Sequence, residues 1–188
     1  MARTPSTMLE LETRAPEFSL PDPRTGRTIS RQNFEGRSLL VMFICNHCPF
    51  VIHVEKQLRE IGKVFQEKDI GVVAINSNDV STHPDDSPEK MKEHVYPFPY
   101  LFDESQSVAR DFHAACTPDF FLFDRHHRLV YRGQLDDSRP GNNIPVTGHD
   151  LVAAAELLIQ GATIPTDQKP SLGCNIKWKK GNEPEYYR

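Results

Sequence analysis

No stretch of this sequence is apolar for long enough to span a bilayer. The cleanest run, residues 39–44, falls far short of the ~18 residues a membrane helix needs. Basic clusters are missing too: 26 acids stand against 22 bases for a net charge of −4, spread without long single-sign blocks. That excludes the electrostatic footprint of a nucleic-acid-binding face. Residues 1–17 mix charges with prolines and lack the apolar core of a secretory signal. These absences predict a soluble protein of the cytoplasm, with neither membrane nor nucleic acid as a partner. Cysteine is scarce, four residues in all, and a structural disulfide framework is rare in that compartment. Redox activity, metal binding or inert burial are the roles left for them. There is one tryptophan, no internal repeat and no low-complexity linker, so the 188 residues read as a single domain.

What is present is an ordinary globular composition, 38% hydrophobic and 26% charged. Residues 17–30 read as a hairpin turning through Pro21-Asp22-Pro23-Arg24-Thr25-Gly26. Residues 38–44 form a continuous apolar run, the mark of a strand buried on both faces. Val51, Val54, Leu58, Ile61 and Phe65 then repeat at helical steps, and residues 70–75 form a second buried strand. Strand, helix and strand make a parallel βαβ unit. A polar excursion over residues 76–88 leads to a helix capped by Ser87 with Pro88 at its first position, carrying Met91 and Val95 inward. Strands at 100–102, 120–123 and 129–132 follow, with a short helix at 105–113. A closing helix over 150–160 buries Leu151, Ala154, Ala155, Leu158 and Ile159 and stops at Gly161. The domain is expected over 16–161, with a 1–15 extension. A polar 162–188 tail has little core-forming power of its own, but it packs back over the domain through Trp178. The fold class is α/β, a central mixed sheet flanked by helices.

Cys45-Asn46-His47-Cys48 lies where the first buried strand ends and its helix begins. Unpaired N–H groups and partial positive charge at a helix N-terminus stabilise a thiolate. Such a site can bring a cysteine pKa from ~8.5 into the range of about 3.5–7.5. The i, i+3 spacing brings two sulfurs within one turn, close enough for a reducible disulfide. His47 adds a thiolate-stabilising charge when protonated. Pro49 sets the helix entry and leaves Cys48 as its cap. Cys45 is expected to be the more exposed and more acidic thiol, with Cys48 held back by burial. Cys-x-x-Cys also serves zinc, but a structural zinc site usually draws on a second close pair, and Cys116 and Cys174 each stand alone. A c-type haem site needs His after the second Cys, where Pro49 stands.

The motif, the later Thr117-Pro118 before a strand and the order of elements resemble the thioredoxin superfamily. Residues 43–51, Phe-Ile-Cys-Asn-His-Cys-Pro-Phe-Val, resemble its peroxiredoxin-like, redoxin branch more closely. Cys116-Thr117-Pro118-Asp119, Tyr131-Arg132-Gly133 and Gly173-Cys174-Asn175-Ile176-Lys177-Trp178 are similar to the same branch. The resemblance implies a thioredoxin fold and a thiol–disulfide oxidoreductase acting on protein disulfides, recharged by an external thiol reductant and needing no cofactor. It implies Cys45 and Cys48 as the catalytic pair and His47 as thiolate-stabilising. Pro118 becomes a cis-proline facing the pair, and Thr117 a backbone-pairing position for a substrate segment. Two other readings stand beside it. One is a thiol peroxidase with Cys48 as peroxidatic cysteine, although Cys45 occupies the position where peroxiredoxins carry Thr. The other is a zinc-stabilised binding module without turnover.

Cys116 and Cys174 are candidate additional redox thiols; for Cys116 the alternative is a small buried hydrophobe, and for Cys174, in a tail with little reason for burial, it is a docking role. Arg132 and Arg139 are candidates for positive charge near the site, against the usual solvent-facing role of arginine. His53, His83, His94, His113, His126, His127 and His149 show no ligand spacing and are assigned nothing. Asp85-Asp86 reads as a solvated loop.

Overall fold

The structure, a computed structural model, describes residues 3–187. The strands are β1 (Arg3–Pro5), β2 (Ser19–Pro21), β3 (Thr28–Ser30), β4 (Ser38–Phe43), β5 (Ile70–Asn76), β6 (Tyr100–Phe102), β7 (Cys116–Thr117), β8 (Asp119–Phe123), β9 (Leu129–Gly133) and β10 (Leu172–Asn175). The helices are α1 (Pro49–Glu67), α2 (Pro88–Met91), α3 (Ser107–Asp111) and α4 (His149–Ile159).

Past Ser38 at its start, β4 is wholly apolar because it is the centre of a five-stranded sheet ordered β6-β5-β4-β8-β9. It runs parallel to β5 and antiparallel to β8, with Val41 opposite both Val73 and Phe121. Its side chains alternate between two cores, as the period of two requires. Leu40 and Met42 pack with Val54, Leu58 and Ile61 of α1 and Leu151 of α4. Leu39, Val41 and Phe43 pack on the other face with Phe112, Phe18 and Trp178. The sheet is mixed and flanked by helices, a thioredoxin-like α/β fold.

Cys48 caps α1 in extended geometry with Pro49 at the first helical position, as the sequence predicts. Two helices differ from expectation. α2 ends at Met91, and Val95, expected inward, is 60% exposed. The chain leaves the helix there to bury Tyr96 and Phe98, whose rings stack 5.0 Å apart. On α4 the buried stripe runs through Leu151, Ala154 and Ala155; Leu158 is half-buried, and Ile159 at the edge of the stripe is 49% exposed.

The larger correction concerns the two ends of the chain. A second sheet, ordered β1-β10-β7, joins them: Arg3 pairs with Cys174, and Cys174 with Thr117. Residues 162–188 are not poor in core-forming groups, since Cys174, Ile176 and Trp178 are buried. The segment is also held by its backbone. Asp79 N–H donates to Lys177 O at 2.7 Å, Lys177 N–H to Asn78 Oδ1 at 2.8 Å and Ile176 N–H to Ala115 O at 3.1 Å. Hydrogen bonds of this kind satisfy main-chain groups whatever the side-chain polarity. Among the described residues no helix is long and apolar enough to cross a membrane.

Candidate active site

The site is built where β4 hands over to α1, and three segments distant in sequence close around it. Cys45 Sγ lies 3.5 Å from Thr117 Oγ1 and 4.0 Å from His47 Nδ1. Cys48 Sγ lies 3.2 Å from Thr117 O. The Thr117–Pro118 peptide is cis. Cys45 is 2% exposed and Cys48 0%.

Cys45, Cys48 and Cys174 share one buried cluster around Thr117, whose hydroxyl meets Cys45 and whose carbonyl meets Cys48. As a thiol, Cys48 donates to Thr117 O. Its surroundings favour the thiolate, the Cys174 thiol most, then the Cys45 thiol, with Thr117 and the donors of the first turn of α1 adding to them. These donors hold Cys48 well below the ordinary thiol range despite its burial. Burial, the Cys48 partner and the nearby Asp86 carboxylate push Cys45 well up. The expected order of acidity is thereby reversed. Cys48 caps the helix and collects donors, whereas Cys45 precedes the helix and faces a like charge.

That charge corrects a second expectation. Asp86 is no solvated loop residue but is fully buried. Its Oδ1 accepts from the N–H groups of Asn46 at 2.8 Å and His47 at 3.2 Å, and its Oδ2 accepts from Asn78 Nδ2 at 2.7 Å. Its Oδ2 also meets His47 Nδ1 at 2.6 Å. Burial disfavours the carboxylate, but the His47 and Asn78 hydrogen bonds outweigh it and the Asp86 pKa is lowered. The same bond raises His47 against a smaller effect of burial. His83, assigned nothing from sequence, stacks on His47 with ring centroids 5.1 Å apart. Burial and the His47 charge lower the His83 pKa. A polar cluster (Asn76, Asn78, Asp79) at the C-terminal end of a buried parallel strand was the available signal for Asp86, because ligands gather at that end of such sheets.

Cys45, His47 and Asp86 each offer one donor atom within 4.8 Å of the others, a set able to chelate a cation. Thr117 and Pro118 face the pair, but the ladder edge of Thr117 expected for a substrate segment is filled by β10. Cys174 reaches the site; Cys116 does not join the three thiols. Cys116 Sγ lies 3.6 Å from Pro118 O, its ladder partner is Asn175, and burial with the Asp119 charge raises its pKa. Arg132 is bound to Leu9 O and Gln168, and Arg139 to Gln134, Asp136 and Ser138; neither is hydrogen-bonded to the Cys45–Cys48 pair.

The comparisons agree with this architecture. A conserved protein of Geobacillus kaustophilus is 49% identical, with a TM-score of 0.93 over 95% of this chain and 97% of its own. A hypothetical protein of Sinorhizobium meliloti is 48% identical, with a TM-score of 0.92 over 95% of this chain and 100% of its own. A thiol:disulfide interchange protein of the thioredoxin family from Chlorobium tepidum shares the fold at 16% identity and a TM-score of 0.56, over 80% of this chain and 98% of its own. No curated protein matches the chain. The AhpC/TSA family model matches residues 11–132. With most of the sheet and the whole Cys45–Cys48 junction inside that match, the chain belongs to the AhpC/TSA family, on a thioredoxin-like fold.

Proposed function

We propose that the chain is a thiol–disulfide oxidoreductase in which Cys45 and Cys48 cycle between dithiol and disulfide at the expense of protein disulfides. The observation that carries the reading is the placement of Cys45 and Cys48 at the N-terminus of α1, their sulfurs 3.5 Å from Thr117 Oγ1 and 3.2 Å from Thr117 O beside the cis Pro118. The sulfur of Cys45 attacks a substrate disulfide, forming a mixed disulfide and expelling one substrate thiolate. Cys48 then attacks Cys45 Sγ, closing the Cys45–Cys48 bond and releasing the second substrate thiol. Two electrons have passed to the substrate, and an external thiol reductant returns them, as the cytoplasm supplies. His47, held by Asp86, stands 4.0 Å from Cys45 Sγ and supports its charge as the proton leaves. Because Cys45 is 2% exposed, the attack requires a local opening over the site.

Cys48→Ser is expected to trap mixed disulfides with partner proteins through Cys45, and Cys45→Ser to trap none. The thiol-peroxidase reading is favoured by the surroundings of Cys48, which lower its pKa while those of Cys45 raise it. In that case Cys45→Ser still consumes one equivalent of peroxide through a Cys48 sulfenic acid. Rapid peroxide reaction by Cys45→Ser, with no trapping by Cys48→Ser, replaces the first reading by the second.

A further inference from the structure

Cys174 stands where a second reaction partner for Cys48 has to be. β10 runs antiparallel to β7 with Cys174 directly opposite Thr117, the residue whose carbonyl lies 3.2 Å from Cys48 Sγ. Cys174 and Cys48 lie in one buried cluster, each beside Thr117. Cys48 thus stands between Cys45, on the same strand-to-helix junction, and Cys174, on the far side of Thr117 in the ladder. β10 is seated tightly enough to hold that geometry. Ser171 Oγ donates to Pro118 O at 2.8 Å, and Ser171 N–H donates to Ser6 Oγ at 2.9 Å. The chain at Gly173 comes so close to β7 that a Cβ there would lie 2.0 Å from Thr117 O. A disulfide requires converging side chains across a short Cα separation, and the pairing of β10 with β7 brings Cys174 to the Thr117 edge that Cys48 meets.

Building on the dithiol reading above, we propose that Cys48 forms two alternative disulfides, one with Cys45 and one with Cys174. In the exchange, the Cys174 thiolate attacks Cys48 Sγ of the Cys45–Cys48 bond. The Cys48–Cys174 bond forms, the Cys45–Cys48 bond breaks, and the electron pair goes to Cys45 Sγ, which takes up the proton Cys174 gave up. No oxidant or reductant is consumed. The oxidised chain then carries Cys45 as a thiol again, able to attack a further disulfide, while the C-terminal segment is fastened covalently beside α1.

The test equilibrates the full chain in glutathione buffers of graded ratio, quenches in acid, blocks thiols under denaturing conditions and assigns linked peptides by mass-spectrometric fragmentation. Both Cys45–Cys48 and Cys48–Cys174 linkages are expected in the wild type, and complete conversion to Cys48–Cys174 in Cys45→Ser. A wild type holding only Cys45–Cys48, with Cys45→Ser carrying glutathione on Cys48 beside an unreacted Cys174, overturns the alternation and leaves the dithiol reading standing. A wild type with Cys48–Cys174 but no Cys45–Cys48 bond at any ratio overturns both. The wild-type readout does not depend on how well the variant folds.

Discussion

Asp86 shows how much a single side chain sets at this site. Two backbone N–H groups of the Cys-x-x-Cys loop, the His47 ring and the Asn78 amide all converge on its carboxylate. Breaking such a buried, fully engaged pair from one side costs about 3 kcal/mol. Asp86→Asn is therefore expected to lower the melting temperature by ~6–12 °C near pH 6. The pH dependence follows from the two shifts. His47 is raised from 6.5, so its contribution is full below that value and fades as pH rises through the raised one. Asp86 is lowered from 3.8, so its contribution is full above that value and fades as pH falls through the lowered one. The gap between wild type and variant should be widest between pH 3.8 and 6.5 and narrow toward alkaline pH. A gap in melting temperature that stays constant up to pH 9 would show that the charge pair does not contribute. The cysteines and His47 were legible in the sequence because the motif is contiguous. Asp86 was not, because Asn46 and His47, which it binds, lie on a different loop, and a run of polar residues looks the same whether solvated or buried.

At the scale of elements, α1 and β10 illustrate opposite degrees of legibility. The apolar spacing from Val51 to Phe65 and the Cys48-Pro49 cap mark α1 within its own residues, and the structure has it over Pro49–Glu67 with those positions buried. β10 has only four residues and no alternation that distinguishes it from a loop. It is a strand because β1 and β7 lie on either side of it. Gly173 is the point at which this pairing depends on one residue. The nearest atoms to an added Cβ are the O and C of Thr117 at 2.0 and 2.6 Å, main-chain atoms that cannot rotate aside. Gly173→Ala should cost about 3 kcal/mol and speed alkylation of Cys174 in the native protein. An alanine variant with unchanged stability and unchanged Cys174 reactivity would mean that β10 is not seated as described.

Over the whole molecule, the sheet separates two cores, and the C-terminal segment contributes to both: Cys174 to the α1 side, Ile176 and Trp178 to the α3 side. Trp178 is 9% exposed, and truncating a buried Trp to Ala costs about 3–5 kcal/mol. Trp178→Ala should lower the melting temperature by roughly 10 °C. Removal of everything after Gly161 should lower it further, because β10 and its partners go as well. A truncated chain melting with the wild type would refute the packing.

Patterns within a few residues of one another determined the buried strands β4 and β5, the helix between them, the cap and the two cysteines at their junction. Apolar periodicity, proline and a helix terminus act locally and can be read along the chain. Only the tertiary structure decided that Asp86 and His83 meet His47, that the surroundings favour a thiolate at Cys48 over Cys45, and that β10 fills the Thr117 edge with Cys174. Those outcomes depend on which distant segments share one buried volume, and close packing and hydrogen-bond satisfaction settle that only once the chain has closed on itself.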